Sequence, residues 1–588
     1  MAKAKPIKLW VIAGCGLAVI GAGALALVVY KTGAPQPAVQ QSAAPPPVPD
    51  SPDSSAGPES ALGGYLAARH AQQEHDYAGA LAFIDRSLAD DPDNYDLIRR
   101  SFVLRLSEGQ VGEAVDLAHR IAAHDGTSGL VGLVLLEQAI KTGDYDGAAK
   151  IAVAMPREGA QRYSLPLLLA WTDAARGQGD KVAKDIAGMV DVNGLGPLKE
   201  IHATLIADVA DQADKAAAGY KKILGEENPP SLRVAQLAGN FYERHNQPDA
   251  ARAVYQSVAA IDDSDVAASG FDRLGKSIVP PRVVATPADG AAEALFDLAS
   301  LLNQRDTMDA ALIYARLALD LKSDFTLAEL LVGEIREQQD RDADALEIYR
   351  GIGGDSPFSW TAQLRMALVL DALDRTDEAT KQLETMAKDR PDRAEPLIEL
   401  GDIERSHSKF TEAASAYDRG LARMPDPSPR QWRIYYSRGI AYERSDQWPK
   451  AEVDFKRALE LQPDQPLVLN YLGYTWIDKG ENLDQGVQMI QRAVALRPTD
   501  GYIVDSLGWA YYRLGDYPRA TQMLEKAIEL LPEDPTINDH LGDAYWQGGR
   551  KIEARYQWRR ALQFKPEADE AKKIEGKLDR GLNDTGGG

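Results

Sequence analysis

The stretch Gly501–Pro532, with the sequence GYIVDSLGWAYYRLGDYPRATQMLEKAIELLP, decides the fold of this chain. Apolar and small residues recur every three or four positions in each half of it, which is the period of one face of a helix. They are Val504, Leu507, Gly508 and Tyr511 in the first half and Ala520, Leu524 and Ala527 in the second. Gly515-Asp516 predicts a turn between two helices, and Pro532 predicts the end of the second helix. Such a hairpin cannot bury its apolar face alone and needs similar hairpins stacked beside it.

Similar hairpins recur at a spacing of about 34 residues. Two of them precede the central stretch, beginning near Tyr435 and near Leu469, and one follows it, beginning near Asn538. On these four successive units the chain resembles the tetratricopeptide repeat (TPR) family. The resemblance implies an all-α fold, a TPR superhelical solenoid, of a kind that serves as an interaction surface for many unrelated partners.

Composition narrows the classes of function. The chain has 588 residues, of which 26% are charged, and its formal net charge is −22. Binding to nucleic-acid phosphates needs clustered Lys and Arg, so this acidic balance argues against nucleic acid as a general partner. Cys15 is the one cysteine in the sequence, which excludes an intramolecular disulfide and leaves the redox compartment open.

A long apolar segment lies near the N-terminus. Residues 9–30 carry no charge and are long enough to span a bilayer as one transmembrane helix. The preceding residues 1–8 contain three lysines and no acid, so the positive-inside rule keeps them in the cytoplasm. We therefore predict a single-pass anchor in the inner cell membrane, with the repeats facing the periplasm.

Two alternatives to this anchor stay open. A cleaved signal peptide would make the protein secreted; Ala24, Ala26 and Ala34 offer small residues for cleavage, although the apolar core is long for such a signal. A lipoprotein signal is suggested by residues 12–15, IAGC, although most of the apolar core should then precede the cysteine.

Composition and repeat strength divide the rest of the chain. Residues 31–60 are rich in Pro, Ala, Ser and Gln and predict a disordered linker. Degenerate repeats follow, and then a break in helical period marked by Pro280-Pro281 separates them from a second, stronger array. The predicted segments are 61–261 for the degenerate TPR-like repeats, 262–290 for the joint, 291–567 for the TPR array and 568–588 for a capping helix and tail. The solenoid is thus predicted to have two arms.

One string has the form of a phosphate-binding loop. Residues 270–277, GFDRLGKS, match the pattern in which backbone N–H groups cradle a phosphate, and an enzyme using Lys276 on a nucleotide is the competing interpretation. Such a loop follows a buried strand and opens a helix, whereas polar residues precede this string and Pro280-Pro281 follows it. We therefore interpret it as a helix end or loop. Since the sequence holds no HExxH, GxSxG or CxxC motif, we predict no enzyme activity, no cofactor and no metal.

The resemblance to TPR proteins also places a candidate binding groove. The first helix of each hairpin lines the concave face of a TPR array, and we carried that stripe over to the four strongest units. It contains Tyr436, Asn470, Tyr474, Tyr502, Asp505, Trp509, Tyr512, Arg513, Asp539, Asp543 and Trp546. Aromatic rings mixed with carboxylates suit an extended peptide, and aromatic faces also suit sugars. The alternative is that these rings pack between neighbouring hairpins and contact no ligand.

A more specific TPR activity is not carried over. The Lys and Asn clamp with which some TPR chaperone adaptors hold a C-terminal carboxylate is absent, because the comparable positions are Asp505, Asp539 and Asp543, with Asn470 alone. The order of anchor, linker, loose repeats and strong repeats resembles large bacterial envelope TPR proteins. This resemblance implies a non-catalytic, envelope-anchored scaffold or adaptor that recruits other proteins, for example to a protease or an envelope assembly complex. The alternative is a carbohydrate-binding component of polysaccharide or cell-wall assembly, and formation of a homo-oligomer stays open.

Overall fold

The structure, a computed structural model, is entirely helical where it is described. The described residues are 61–582 apart from 128, 190–195, 227–228, 260–264 and 425–427. Every regular element among them is a helix, and none of them lies in a strand, which confirms the predicted all-α fold. The predicted anchor at 9–30 and linker at 31–60 lie outside the described residues.

The chain divides into two compact units, unit 1 (Met1–Arg375) and unit 2 (Thr376–Gly588). The helices of unit 1 are α1 (Ala61–Gln73), α2 (Tyr77–Asp90), α3 (Tyr95–Glu108), α4 (Val111–Asp125), α5 (Gly129–Lys141), α6 (Tyr145–Ala154), α7 (Gln161–Ala175), α8 (Gly179–Ala187), α9 (Gly196–Val209), α10 (Ala213–Glu226), α11 (Leu232–Arg244), α12 (Pro248–Val258), α13 (Val266–Lys276), α14 (Pro287–Leu302), α15 (Met308–Leu321), α16 (Thr326–Gln338), α17 (Asp342–Gly351) and α18 (Ser359–Ala372). Those of unit 2 are α19 (Thr376–Asp389), α20 (Glu395–Ser406), α21 (Phe410–Leu421), α22 (Trp432–Arg444), α23 (Trp448–Leu461), α24 (Pro466–Lys479), α25 (Leu483–Leu496), α26 (Gly501–Arg513), α27 (Tyr517–Leu530), α28 (Pro535–Gln547), α29 (Lys551–Gln563) and α30 (Ala568–Arg580).

Helices α26 and α27 form the hairpin that the central stretch predicts. Asp500 caps α26 by accepting a hydrogen bond from the backbone N–H of Ile503 at 3.3 Å. Gly515 closes the turn with a φ of 78°, a left-handed conformation that favours a residue without a Cβ. Gly508 lies against Leu524 with no room for a Cβ, so the two helices approach closely. The periodic small and apolar residues therefore form the contact between the helices, as predicted.

Unit 2 repeats this hairpin along its length. Each first helix packs on its own second helix, and successive first helices also contact each other, as α24 with α26 and α26 with α28 do. Extensive contacts among the described helices of unit 2 join only neighbours and next-but-one neighbours along the chain. The first helices α22, α24, α26 and α28 thus form a layer, and we call its surface away from the second helices the A face of unit 2.

Unit 1 contains the same kind of layer and then covers it. Its first helices α3, α5, α7 and α9 have a corresponding A face, and helices α14 and α15 pack against these helices. Residues 290–299 of α14 are all buried, including the acidic Glu293 and Asp297. The A face of unit 1 is therefore part of the core of that unit.

The predicted joint at 262–290 lies inside unit 1, while the division between the units falls after Arg375. Helix α13 occupies part of this segment. Pro280-Pro281 end the helical run but not the packing, since Asn240 donates a side-chain hydrogen bond to the Pro281 carbonyl at 2.8 Å. Proline breaks mark where a helix stops, whereas contacts decide what belongs to a unit. The predicted segment boundaries, including those of the joint, stay predictions.

The predicted localisation in a cell membrane requires correction. Among the described residues, no helix combines the length and the apolar character that crossing a bilayer demands. This finding contradicts the predicted membrane-anchored, periplasm-facing arrangement, whose basis, residues 9–30, lies outside the described part of the chain.

Candidate partner-binding site

The A face of unit 2 carries a row of aromatic side chains that are neither fully buried nor fully exposed. Tyr436 on α22, Tyr474 on α24, and Trp509 and Tyr512 on α26 are all half-buried. Because successive first helices contact each other, the rings lie on one continuous layer. Each ring therefore contributes to packing with one part and presents apolar surface with the other.

Two tyrosines show how much of this row packs between hairpins. The ring centroid of Tyr436 lies 6.0 Å from that of Tyr471, edge to face, and burial raises the pKa of Tyr436 to about 12. Burial, together with the carboxylates of Asp478 and Asp505, raises the pKa of Tyr474 to about 12. Packing between hairpins thus accounts for a large part of both rings.

Trp509 lies in a stack of three rings that joins α26 to α28. Its ring centroid is 4.7 Å from that of Tyr512 and 4.0 Å from that of His540, with planes inclined by 17° and 20°. The predicted stripe omits His540, because it passes from Asp539 to Asp543. The position of His540 beside the carboxylates of the stripe was the sequence signal that could have identified it as part of the site.

Asp505 is buried and is paired within the chain. Nδ1 of His540 lies 3.0 Å from Oδ1 of Asp505. Burial by itself would lower the pKa of His540, but Asp505, with Asp539 and Asp543 nearby, raises it above its ordinary value. The surroundings therefore favour an imidazolium that faces a carboxylate and stacks on the indole of Trp509.

Asp539 and Asp543 are also buried, and the C-terminal helix α30 supplies their partner. Nζ of Lys577 donates to Asp539 at 2.7 Å and to Asp543 at 2.8 Å. Burial, followed by the charge of Asp539, raises the pKa of Asp543 against the opposing effect of Lys577. Nε1 of Trp558 donates to Asp543 at 2.9 Å, and Trp546 packs on Trp558 with ring centroids 5.3 Å apart. Any partner that uses these two acids has to replace Lys577.

The other predicted residues differ in their exposure and in whether their polar atoms have partners within the chain. Tyr502 is 58% exposed at the edge of the A face. Arg513 is paired with Asp478 across successive first helices, with 2.6 Å between Nη1 and Oδ1. Oδ1 of Asn470 is buried and has no hydrogen-bond partner among the described residues. Of these three residues, Asn470 has a side-chain oxygen without a partner, whereas Tyr502 is hydrogen-bonded to Asp534 and Arg513 is paired with Asp478.

Polar side chains tie the A face of unit 1 to the helices that cover it. Nε1 of Trp171 on α7 donates to Nδ1 of His202 on α9 at 3.0 Å. Nε2 of His202 in turn donates to Asp297 on α14 at 3.1 Å. On α16, Arg336 donates to the Ser107 carbonyl at 3.0 Å. These buried hydrogen bonds satisfy polar groups that a removable ligand would leave exposed.

The string 270–277 forms the end of α13 and its cap. Lys276 pairs with Asp272 one turn earlier, at 2.8 Å, and Gly270 packs against the ring of Tyr255. A phosphate loop needs backbone N–H groups free at the start of a helix, which the end of α13 does not provide. The interpretation as a helix end is confirmed. Within the described ranges, His, Cys, Asp and Glu form no group of three or more that could hold a metal ion.

Three family models match the chain, and all describe tetratricopeptide repeats. Those described as tetratricopeptide repeat match residues 432–465 and 364–429, and one described as TPR repeat matches residues 508–549. The chain therefore contains tetratricopeptide repeats, as the resemblance in its sequence implied. Such repeats are protein-interaction modules and are typically not enzymes, so they indicate a scaffold for protein–protein contacts.

Relatives in other organisms match part of the chain. The TPR repeat-containing protein PA4667 of Pseudomonas aeruginosa is 31% identical over 189 residues, which are 32% of this chain and 31% of that protein. The RNA polymerase-associated protein CTR9 of Caenorhabditis elegans is 25% identical over 190 residues, which are 30% of this chain and 16% of that protein. The chain thus spans less than a third of the length of these relatives.

Solved structures align at low similarity. The Cut9–Hcn1 hetero-tetramer of the APC/C aligns with a TM-score of 0.38 and 15% identity over 88% of this chain and 95% of that chain. YrrB, a TPR protein with an unusual peptide-binding site, aligns with a TM-score of 0.27 and 18% identity over 33% of this chain and 97% of that chain.

Proposed function

We propose that unit 2 is a non-catalytic interaction module that binds a segment of a partner protein along its A face. One contrast carries this proposal. Helices α14 and α15 cover the A face of unit 1, whereas no described helix of unit 2 packs extensively across α22, α24 and α26. Half-buried Tyr436, Tyr474 and Trp509 on those helices leave apolar surface in water. Aromatic side chains of this kind anchor protein segments at interfaces.

The charges of the site favour contacts other than ion pairs along most of the A face. Asp505 and the Asp539–Asp543 pair are already matched by His540 and Lys577. The aromatic rings are left for apolar contacts with the partner. Binding along α22, α24 and α26 is therefore expected to depend weakly on salt. A module of this kind can act as an adaptor that brings a bound protein to a protease or an assembly complex.

Carbohydrate binding is the weaker alternative. A sugar needs the free face of an aromatic ring. The rings of Tyr512 and His540, near-parallel to that of Trp509 at 4.7 Å and 4.0 Å, already occupy the strongest candidate. Protein binding uses the edges and apolar parts of the row and does not require a free indole face.

Site-specific photo-crosslinking in cells tests the proposal. A photoreactive amino acid replaces Tyr502, which is 58% exposed at the edge of the A face. The matched control carries it at Tyr556, which is 61% exposed on α29. We expect a discrete protein adduct at position 502 that is absent at position 556, with the captured protein identified by mass spectrometry.

The captured protein is then purified and titrated against the wild-type chain and a Trp509→Ala variant. We expect the variant to bind at least about tenfold more weakly, as aromatic anchors at interfaces do. Circular dichroism must show that the variant keeps its helices. Equal adducts at both positions, or unchanged affinity in the folded variant, would exclude the A face as the binding site.

A further inference from the structure

The C-terminal helix α30 is held to unit 2 by one charged contact and a few apolar side chains. Nζ of Lys577 lies between the carboxylates of Asp539 and Asp543, at 2.7 Å and 2.8 Å, and its side chain is only 18% exposed. Of the side chains of α30, Ile574 alone is fully buried, while Leu578 and Leu582 beyond it are partly buried against the core. The rest of the helix is mainly charged and solvated, so the contact of Lys577 with Asp539 and Asp543 is one of the two parts of its attachment, beside the apolar side chains.

The acids that Lys577 contacts belong to the A face. Asp539 and Asp543 lie one helical turn apart on α28, in the stripe that faces partners in a repeat array. One repeat earlier, Asp505 pairs with His540 of the next repeat, at 3.0 Å. The helix that follows the α28–α29 hairpin is α30, and it supplies the cation for Asp539 and Asp543. The chain itself thus shows which chemistry fits this pair of acids: a lysine side chain presented by a peptide segment.

We infer that α30 is a displaceable strap, in which Lys577 occupies the Asp539–Asp543 pair as an internal ligand, and that a lysine-bearing segment of the partner protein binds the same pair by displacing α30. This inference rests on the proposed function of the A face and names the partner chemistry at its C-terminal end. The structure supplies the charge complementarity, since two buried carboxylates need a cation whether α30 or a partner provides it.

The tether of α30 makes the strap selective. A segment linked to its site by a few residues has an effective concentration on the order of millimolar. A free peptide that offers only a lysine cannot displace α30 at concentrations well below this effective concentration. A partner that also lies along α22, α24 and α26 gains contacts with Tyr474 and Trp509 that α30 does not make, and it can therefore compete. The strap excludes segments that offer a cation without the apolar contacts.

Hydrogen exchange of the full-length chain tests the attachment first. In the Lys577→Gln variant we expect amides of α30 to exchange at least tenfold faster than in the wild type, with α26 and α27 unchanged. Lys577→Arg should restore protection. Lys573→Gln is the matched control, because the ion pair of Lys573 is made with Glu570 of its own helix, at 2.7 Å. Unchanged exchange in α30 of Lys577→Gln would overturn the inference.

Peptide titration then tests the site. The probe is a synthetic peptide of residues 566–582, and its control carries glutamine at the position of Lys577. We expect the probe to bind the Lys577→Gln chain at least tenfold more tightly than the wild-type chain, and the control peptide to bind neither. Adding Asp539→Asn and Asp543→Asn to the Lys577→Gln chain should abolish binding. Equal binding of both peptides, or no binding to the Lys577→Gln chain, would refute displacement.

The two proposals fail separately. Neither measurement on α30 uses the captured partner, so a negative result here leaves the photo-crosslinking at position 502 and the Trp509→Ala titration standing. Conversely, absence of an adduct at position 502 would refute the proposed partner binding at the A face but not the proposal that Lys577 holds α30 to the Asp539–Asp543 pair.

Discussion

Both units contain a layer of first helices, but the described helices cover this layer in unit 1 and leave most of it uncovered in unit 2. In unit 1, α14 and α15 lie on the layer, and buried hydrogen bonds such as that from Trp171 to His202 fix them there. In unit 2, the layer keeps half-buried aromatic side chains, and within the described residues only α30 reaches over its last repeat. A layer with half-buried aromatic side chains and a buried layer thus differ by whether one additional hairpin packs on them.

This difference changes what a polar residue on the layer means. On the covered layer, His202 hydrogen-bonds to both Trp171 and Asp297, so these buried polar groups have partners without water. On the open layer, Asp505 and Asp539 are matched by cations from the next element along the chain. Acidic residues on the face of a repeat array are therefore poor evidence for a basic partner until their partners in the chain are known.

The largest effect should come from removing a tryptophan from each layer. Trp171→Ala should destabilise unit 1 by about 3–5 kcal/mol, because it deletes a fully buried ring and leaves His202 without its donor. Trp509→Ala in unit 2 should cost only about 1–2 kcal/mol, since its ring is half-buried. Hydrogen exchange of α14 and of α26 measures the two local opening free energies separately.

Trp171→Ala and Trp509→Ala control for each other, because both delete the same side-chain atoms. Equal losses in α14 and α26 would mean that the open layer is as deeply packed as the covered one. In that case the A face of unit 2 would lose its distinction as a surface.

Filling the contact between α14 and α7 should have the next largest effect. A Cβ on Gly290 would lie 2.3 Å from Cε2 of Trp171, so Gly290→Ala should destabilise unit 1 by about 1–3 kcal/mol through overpacking. Gly275→Ala in α13 is the matched control, because no atom beyond its chain neighbours and the backbone of its own helix lies within 4 Å of the added Cβ. It should be neutral or stabilise by up to about 1 kcal/mol through helix propensity. Urea unfolding and exchange of α14 check both, and equal effects would contradict the close packing.

The sequence predicted the repeats well because a repeat is a local pattern. Gly508, Leu524 and their equivalents recur at helical spacing, and each hairpin is built from contacts within about 34 residues. The covering of unit 1 joins Trp171 to Asp297 through His202, residues far apart in the chain, and no spacing rule reports it. The sequence of α14, in which Glu293 and Asp297 interrupt apolar residues, does not indicate what buries the helix.

The candidate site was predictable in its aromatic residues and not in its charges. Tyr474 and Trp509 follow from the stripe of the repeat, because that stripe is local. The partners of Asp505, Asp539 and Asp543 come from the next element in space, and two of them, His540 and Lys577, lie outside the stripe. Electrostatic pairing across repeats depends on side-chain geometry that periodicity does not specify.

The third-largest effect should be a pH dependence of the stability of unit 2 that arises from His540. Its pKa is raised in the folded chain by Asp505, Asp539 and Asp543 against the effect of burial, with Lys577 the opposing cation nearby. Its contribution to stability is therefore complete below the ordinary pKa of about 6.5 and is lost as pH rises through the higher folded value. Exchange of α26 and α28 in wild type and His540→Gln should differ by on the order of 1 kcal/mol at low pH.

The difference between the two chains should shrink as the solution becomes more basic. Comparison with His540→Gln isolates the histidine from the carboxylates, which titrate in both chains. A difference that is constant with pH would mean that the ring acts by stacking on Trp509 alone, and the ion pair with Asp505 would carry no stability.

The smallest effect on stability should come with a clear effect on binding. Tyr502→Ala should change the stability of unit 2 by less than about 0.5 kcal/mol, because the ring is 58% exposed. Its affinity for the captured partner should fall by about fivefold or more, since interface tyrosines contribute on the order of 1 kcal/mol. Val153→Ala, at a residue 72% exposed in unit 1, should alter neither stability nor affinity. Titration with the same partner compares them, and an equal loss in both variants would place binding outside the A face of unit 2. If only Tyr502→Ala weakens binding, then the layer that no hairpin covers is the one that meets the partner.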